Sequence, residues 1–265
     1  MTAVATARAP ALSTATKATA TLEALLAPYA RLAEDERLPA RAYAVLRKAI
    51  RELRLLPGQL VLEQDVATAL GISRTPIREA MVLLQAEGLG QLIPRHGFAV
   101  APVSPHDLRE VNQIMFGLEG VAVALAAEHA SPEGMAALEA SVVAQERALE
   151  TDDVLAWAEA DERFHHLIAE LSGNARLAQL IVSFDNLQHR ARLLTIRLRP
   201  RPVASTTEHR AVMTAIQRGD AEQARAFHQA HFQRGRAEIL RVLEAMTPGI
   251  AGTEATPPAH EGAKQ

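Results

Sequence analysis

Along residues 40–90 apolar positions recur three and four apart, the spacing that gathers them on one face of a helix. Tyr43, Leu46, Ile50 and Leu53 form one such stripe, predicting a helix over 40–54 that Pro57-Gly58 breaks. A second, shorter helix is predicted over 63–70, with Val66 and Leu70 inward. Gly71 ends it, Ser73 stands where the next helix would be capped, and Pro76 falls in that helix's first turn, where its missing N–H costs nothing. Behind it Ile77, Met81 and Leu84 share a face, and Gly88 closes the segment. The pattern then shortens: 91–93 and 98–101 read as two strands joined by Pro94-Arg95-His96-Gly97, with Gly97 supplying the positive φ of a tight turn. Three helices followed by a hairpin with a basic tip predict a winged helix-turn-helix.

Helical spacing resumes at Ser104-Pro105 and continues through Leu108, Val111, Met115, Leu118, Ala122 and Leu125. Further helix starts are predicted at Ser131-Pro132, near Thr151-Asp152, behind Gly173-Asn174, after Pro202 and at Gly219-Asp220. Nothing in 104–246 alternates with period two over any length. The expected fold is therefore mainly α: an N-terminal winged helix-turn-helix with a small β-hairpin wing over 37–101, a linker over 102–106, and an all-α bundle of six to seven helices over 107–246. Residues 1–36, rich in Ala and Thr, and 247–265, with Pro248, Gly249, Pro257 and Pro258, read as disordered tails. No helix is assigned over 23–31.

Composition narrows the class. At 265 residues the chain exceeds one typical domain, and the absence of cysteine excludes disulfides and thiolate metal sites. No apolar run approaches the roughly 20 residues that span a bilayer, and the start lacks the pattern of a signal peptide. A cytoplasmic protein is expected. The net charge of −3 conceals a split. Residues 37–101 carry nine basic and five acidic side chains, a balance of +4, whereas 104–246 carry fifteen and twenty, a balance of −5. The smaller N-terminal domain thus suits phosphate contact and the remainder does not.

Two groups of residues carry candidate chemistry. Arg74, Thr75 and Arg78 cluster behind Ser73 at the N-terminal end of the third helix, where the dipole favours phosphate and arginine pairs with phosphate or guanine. Arg95 and His96 at the wing tip stand ready to touch the backbone or minor groove. In the helical half, Asp161 and His165 are one turn apart on the inward stripe Ala158, Asp161, His165, Ile168. His209 precedes Val212, Met213 and Ile216 on its stripe, and His231 follows Ala224 and Phe227. Three imidazoles and a carboxylate on inward faces suit a divalent ion, and they equally suit a hydrogen-bonded core. Glu162 with His166, and His228 with His231, are rival pairs, with His166 and His228 read as surface residues.

The segments Leu-Pro-Gly-Gln-Leu-Val-Leu-Glu (56–63), Gly-Ile-Ser-Arg-Thr-Pro-Ile-Arg-Glu-Ala (71–80), Glu-Gly-Leu (87–89) and Pro-Arg-His-Gly-Phe-Ala-Val (94–100) resemble the GntR family of bacterial transcription regulators. The resemblance implies operator contact by Arg74, Thr75 and Arg78, by Gln64 on the preceding helix, and by His96 and Gly97 in the wing. The expected DNA-contacting set is then Gln64, Ser73, Arg74, Thr75, Arg78, Arg95, His96 and Gly97. One departure is that the family often has glycine where this chain has Leu53. Asp161-Glu-Arg-Phe-His165, Leu171-Ser-Gly-Asn174, Glu208-His209, Gly219-Asp220 and Ala230-His231-Phe232 resemble the effector domain of the FadR subfamily. Its metal-containing members hold one divalent ion on an Asp and three His, which correspond to Asp161, His165, His209 and His231. Zinc is the first expectation, with nickel and manganese as alternatives. The family often aims an arginine at the effector from the position that Met115 occupies here, with Asn112 one turn earlier. Those two become the candidate effector contacts, and Met115 argues for a less acidic or bulkier carboxylate.

The resemblance implies a homodimeric regulator, a repressor, that reads palindromic double-stranded DNA and senses a small carboxylate, with no membrane partner. Two alternatives are a metal-dependent hydrolase or oxidase using the Asp/His site, and a regulator whose ion is purely structural. The chain has no His-Glu-x-x-His and no Gly-rich phosphate loop to favour an enzyme.

Overall fold

The computed structural model describes residues 21–246, which divide into two units near Val100. Residues 1–20 of the expected 1–36 tail, and all of the expected tail over 247–265, lie outside the described residues.

In the N-terminal unit, α1 (Leu22–Leu26) and a 3-10 turn (Ala27–Tyr29) precede α2 (Leu38–Arg51), α3 (Glu63–Leu70) and α4 (Arg74–Ala86). The chain before residue 37 is thus not all loose tail. Leu26 and Tyr29 are buried in the same core as Leu46, Ile50, Val66, Ile77, Met81 and Leu84, so burial of two large side chains orders a segment whose composition hides it. Its helix has a side-chain cap, Thr21 accepting from the Ala24 N–H.

The wing is a three-stranded sheet rather than a hairpin alone. β1 (Leu60–Val61), β2 (Gly90–Ile93) and β3 (Gly97–Val100) lie in the order β1-β3-β2, all antiparallel, with Val61 opposite Phe98 and Ile93 opposite Gly97. A two-residue strand is too short to show alternation, which is why the sequence pattern passes over it. Gly97 has φ +95°, and a Cβ there would meet the Val61 carbonyl at 2.5 Å, so the residue is needed for conformation and for close approach of β1.

The C-terminal unit contains six α-helices among the described residues: α5 (Pro105–His129), α6 (Pro132–Glu150), α7 (Val154–Leu171), α8 (Ala175–Thr195), α9 (Val203–Gln217) and α10 (Ala221–Met246). Ser104, Ser131, Asp153 and Asn174 cap α5 to α8 with their side chains, each accepting from backbone N–H groups of the first turn. Because α5 begins at Pro105, the connecting segment is shorter than the expected 102–106. Val123, Leu138, Phe164, Ile168, Val212, Ile216 and Phe232 draw five helices into one core. By length and composition α5 passes as a membrane-crossing helix, but Met115, Ala122, Val123 and Ala126 are buried within this core.

The expected first helix, 40–54, ends early at Arg51. Leu53 lies beyond it with φ +56°, while the Arg54 and Leu55 N–H groups both reach back to the Ala49 carbonyl. This is a Schellman ending that favours glycine at the left-handed position. The departure at Leu53 therefore carries a backbone penalty. Leu53→Gly is expected to stabilise the chain by about 1 kcal/mol, read as a higher urea midpoint; an unchanged or lower midpoint would contradict it.

Candidate functional site

In the N-terminal unit, Gln64 from α3, Arg74 and Arg78 from α4, and Arg95 and Gly97 from the wing line one concave surface of about 500 Å3. Ser73, Thr75 and His96 are exposed but do not line it. Ser73 occupies the α4 N-cap position without the capping hydrogen bond expected from sequence. The first-turn N–H groups at that helix end face no side-chain acceptor from the cap and suit a phosphate oxygen. Arg74 pairs with Glu63 at 3.1 Å, yet the Arg74 side chain is 62% exposed, so the pair exchanges readily for a phosphate.

In the C-terminal unit, His165 on α7, His209 on α9 and His231 on α10 bring a nitrogen each within 4.8 Å of one another, and Asp161 on α7 lies beside them. The Nε2 atoms of His209 and His231 are 3.0 Å apart, and Asp161 Oδ1 is 3.7 Å from His209 Nε2 and 4.0 Å from His165 Nε2. The opposite ring nitrogens face oxygens. His209 Nδ1 meets Gln145 Oε1 at 2.7 Å, His231 Nδ1 meets Glu208 at 2.8 Å, and His165 Nδ1 lies 3.2 Å from Glu119 Oε2. The Gln145 amide NH2 points to the Ala160 carbonyl, which fixes its oxygen toward His209. Phe164 stacks on the His209 ring with centroids 4.2 Å apart.

His209 and His231 are therefore held as Nδ1–H donors, with their Nε2 lone pairs inward. Two inward lone pairs at 3.0 Å repel unless a cation lies between them. The residues present thus fit a divalent ion, with Asp161 supplying the anionic ligand. All three rings are largely screened from water, and His209 is fully buried. Burial together with the neighbouring imidazoles pushes His209 well below the ordinary histidine range and His231 down to about 4. Burial alone would raise Asp161, but Arg192 together with His165, His231 and Arg236 outweighs it and holds the carboxyl below its ordinary value.

Glu119 and His228 were not assigned by the sequence pattern. Both are buried, with His228 Nε2 3.1 Å from the Glu119 oxygen that also faces His165. The reading of His228 as a surface residue is overturned, since its helix turns this face inward between the sites of Ala224 and His231. His166 is half-buried, with its Nε2 3.5 Å from Asp185, while the carboxylate of Glu162 faces His189 at 3.2 Å. The only hint of Glu119 in the sequence was a lone carboxylate on an otherwise apolar helix face.

The cavity beside the tetrad is lined by Asp161, His165, His231, Trp157 and three arginines, Arg192, Arg199 and Arg236. The two candidate effector contacts do not line it. Met115 is buried in the apolar core, and Asn112 accepts a hydrogen bond from Gln188. Both follow from α5 presenting Glu119, four residues beyond Met115, toward the histidines.

Residues 38–100 match the family described as "Bacterial regulatory proteins, gntR family", and residues 110–234 match the FCD domain. The uncharacterized HTH-type transcriptional regulator YdhC of Bacillus subtilis (strain 168) is 31% identical over 76% of this chain and 91% of its own length. The chain belongs to the gntR family. The HTH-type transcriptional repressor RspR of Escherichia coli (strain K12) is 25% identical over 72% of this chain and 84% of that protein. The same fold occurs in E. coli McbR/YncC, with TM-score 0.69 and 24% identity over 77% of this chain and 98% of that one. This gntR-family chain is a transcription regulator, not an enzyme, with a DNA-binding helix-turn-helix and an FCD effector-binding domain.

The depressed histidines set a pH dependence for the metal-free protein. Between pH 6.5 and about 4 the unfolded chain binds a proton at His231 that the folded chain does not, so folding stability rises with pH across this window. The metal-free chain is expected to keep full stability above pH 6.5 and to lose about 3 kcal/mol as pH falls toward 4. Melting of chelator-treated protein between pH 7.5 and 4.5 measures this; a flat profile would show that His231 titrates normally.

Proposed function

We propose that this chain is a homodimeric repressor whose helical unit holds one divalent ion on Asp161, His165, His209 and His231 and senses a small organic acid. The observation that carries the reading is the facing pair of Nε2 lone pairs at 3.0 Å, with their Nδ1 atoms committed to Gln145 and Glu208. Three imidazoles and a carboxylate suit zinc first, and nickel or manganese also. Bound there, the ion would supply a Lewis-acidic point for a carboxylate. The chain's own residues exclude water, hold the imidazole tautomers and present arginines beside it. A purely structural ion would have no use for those arginines. Repression is supported by the likeness to RspR, a transcriptional repressor.

Operator recognition is assigned to the concave surface bearing Gln64, Arg74, Arg78 and Arg95, with Ser73, Thr75 and His96 at its edges and Gly97 shaping the wing. Two copies would read a palindrome, one recognition helix in each major groove. Ile114 and Val121, exposed one above the other on α5, supply an apolar face for the second copy.

Selection of host genomic fragments by the purified protein tests the whole reading. A retained palindrome supports it, whereas no enrichment with or without metal and acids contradicts it. On that operator, Arg78→Ala is expected to weaken binding by roughly 1–3 kcal/mol with the fold intact. Equal affinity removes Arg78 from the interface. His209→Ala is expected to abolish stoichiometric metal and lower the melting temperature. Metal retained at one ion per chain in that variant would exclude the tetrad.

A further inference from the structure

Arginine is rarely buried without a partner, because a desolvated guanidinium leaves up to five donors unpaired. The cavity beside the histidines contains two with buried, unpaired donors. Arg192, 4% exposed, spends its Nε on Asp161 at 3.0 Å, but its buried Nη1 has no hydrogen bond. Arg199, just past the end of α8, has neither Nε nor Nη2 hydrogen-bonded, although both atoms are buried. Burial and the neighbouring Arg192 cation both disfavour the charged form of Arg199. Arg236, the third, donates to Gln188 at 2.9 Å and lies 3.9 Å from Glu119. Arg234 nearby is satisfied by Glu208 and Glu238, so it does not compete. Against three cations the cavity wall carries one carboxylate, Asp161, already shared with Arg192, and a divalent ion would add to the positive excess. A single carboxylate at the ion leaves the donors of Arg199 without an acceptor.

We propose that the effector is a short dicarboxylate, one carboxylate lying at the histidine cluster and the other taken by the free donors of Arg192 and Arg199. This rests on the sensor reading above and names its ligand class. It also replaces the expectation drawn from Met115: the cationic contact is not missing but comes from α8 and the segment after it instead of α5. Size supports a short chain. The cavity is small, about 30 Å3 of water-accessible space, which excludes a long acyl chain. Guanidinium forks match carboxylates in two-point geometry, so the second carboxylate is the specificity element.

The test is calorimetry of the metal-loaded full-length chain against acids paired by carbon number: propionate with malonate, butyrate with succinate, pentanoate with glutarate. In at least one pair the dicarboxylate is expected to bind roughly 10–100-fold more tightly. Arg199→Gln, checked for unchanged melting and metal content, should erase that preference while leaving monocarboxylate affinity in place. Monocarboxylates binding as well as their partners, or Arg199→Gln retaining the full preference, would overturn the assignment and leave the sensor reading standing. No acid binding at all would overturn the sensor reading itself, and this one with it.

Discussion

Two imidazole nitrogens 3.0 Å apart in a water-excluded interior are the constraint around which the helical unit is built. Neutral rings cannot approach this way with both lone pairs inward unless something compensates, and protonating either is disfavoured by burial and by the other histidines. The surrounding side chains remove the remaining freedom. Gln145 and Glu208 fix the tautomers, Phe164 fixes one ring plane, and Arg192 keeps Asp161 anionic. Each of these partners comes from a different part of the bundle. The packing of α6, α7, α8, α9 and α10 is thereby tied to the placement of Asp161, His165, His209 and His231.

Much of this was legible in the sequence because it follows a helical period. Asp161 and His165 one turn apart on an apolar stripe, and His209 and His231 on stripes of their own, marked the four inward positions. The partners that orient them left a weaker trace. Gln145 and Glu208 are ordinary polar residues in sequence, and their importance arises only when α6 and α9 bring them to a ring nitrogen. Glu119 and His228 failed for a related reason. Glu119 drew no assignment, and His228 was read as a surface residue, because each is buried only with the other beside it.

The candidate effector contacts had a different origin. Met115 and Asn112 were inferred from where a family arginine often sits, not from any pattern in this chain. Here Met115 packs in the apolar core, and the cations arrive from α8 and α10. In the N-terminal unit the helices and wing were readable from their periods and turn residues. The two-residue β1 and the short α1 were not, since both are ordered by tertiary burial of single side chains such as Val61 and Leu26. Leu53 is the converse case: local preference opposes the left-handed backbone there, and the hydrogen bonds to Ala49 hold it anyway.

Within the proposed reading, the division of labour between ion and acid follows from these energetics. Gln145 and Glu208 orient the His209 and His231 rings before any ion arrives. Arg199 differs, because its buried donors have no acceptor in the ligand-free chain. A ligand shifts an equilibrium only through contacts it makes differently in the two states. The acid that satisfies Arg199 supplies such a contact. The preformed tetrad is therefore suited to hold a resident ion, and the unpaired guanidinium beside it is the element suited to report on what binds there.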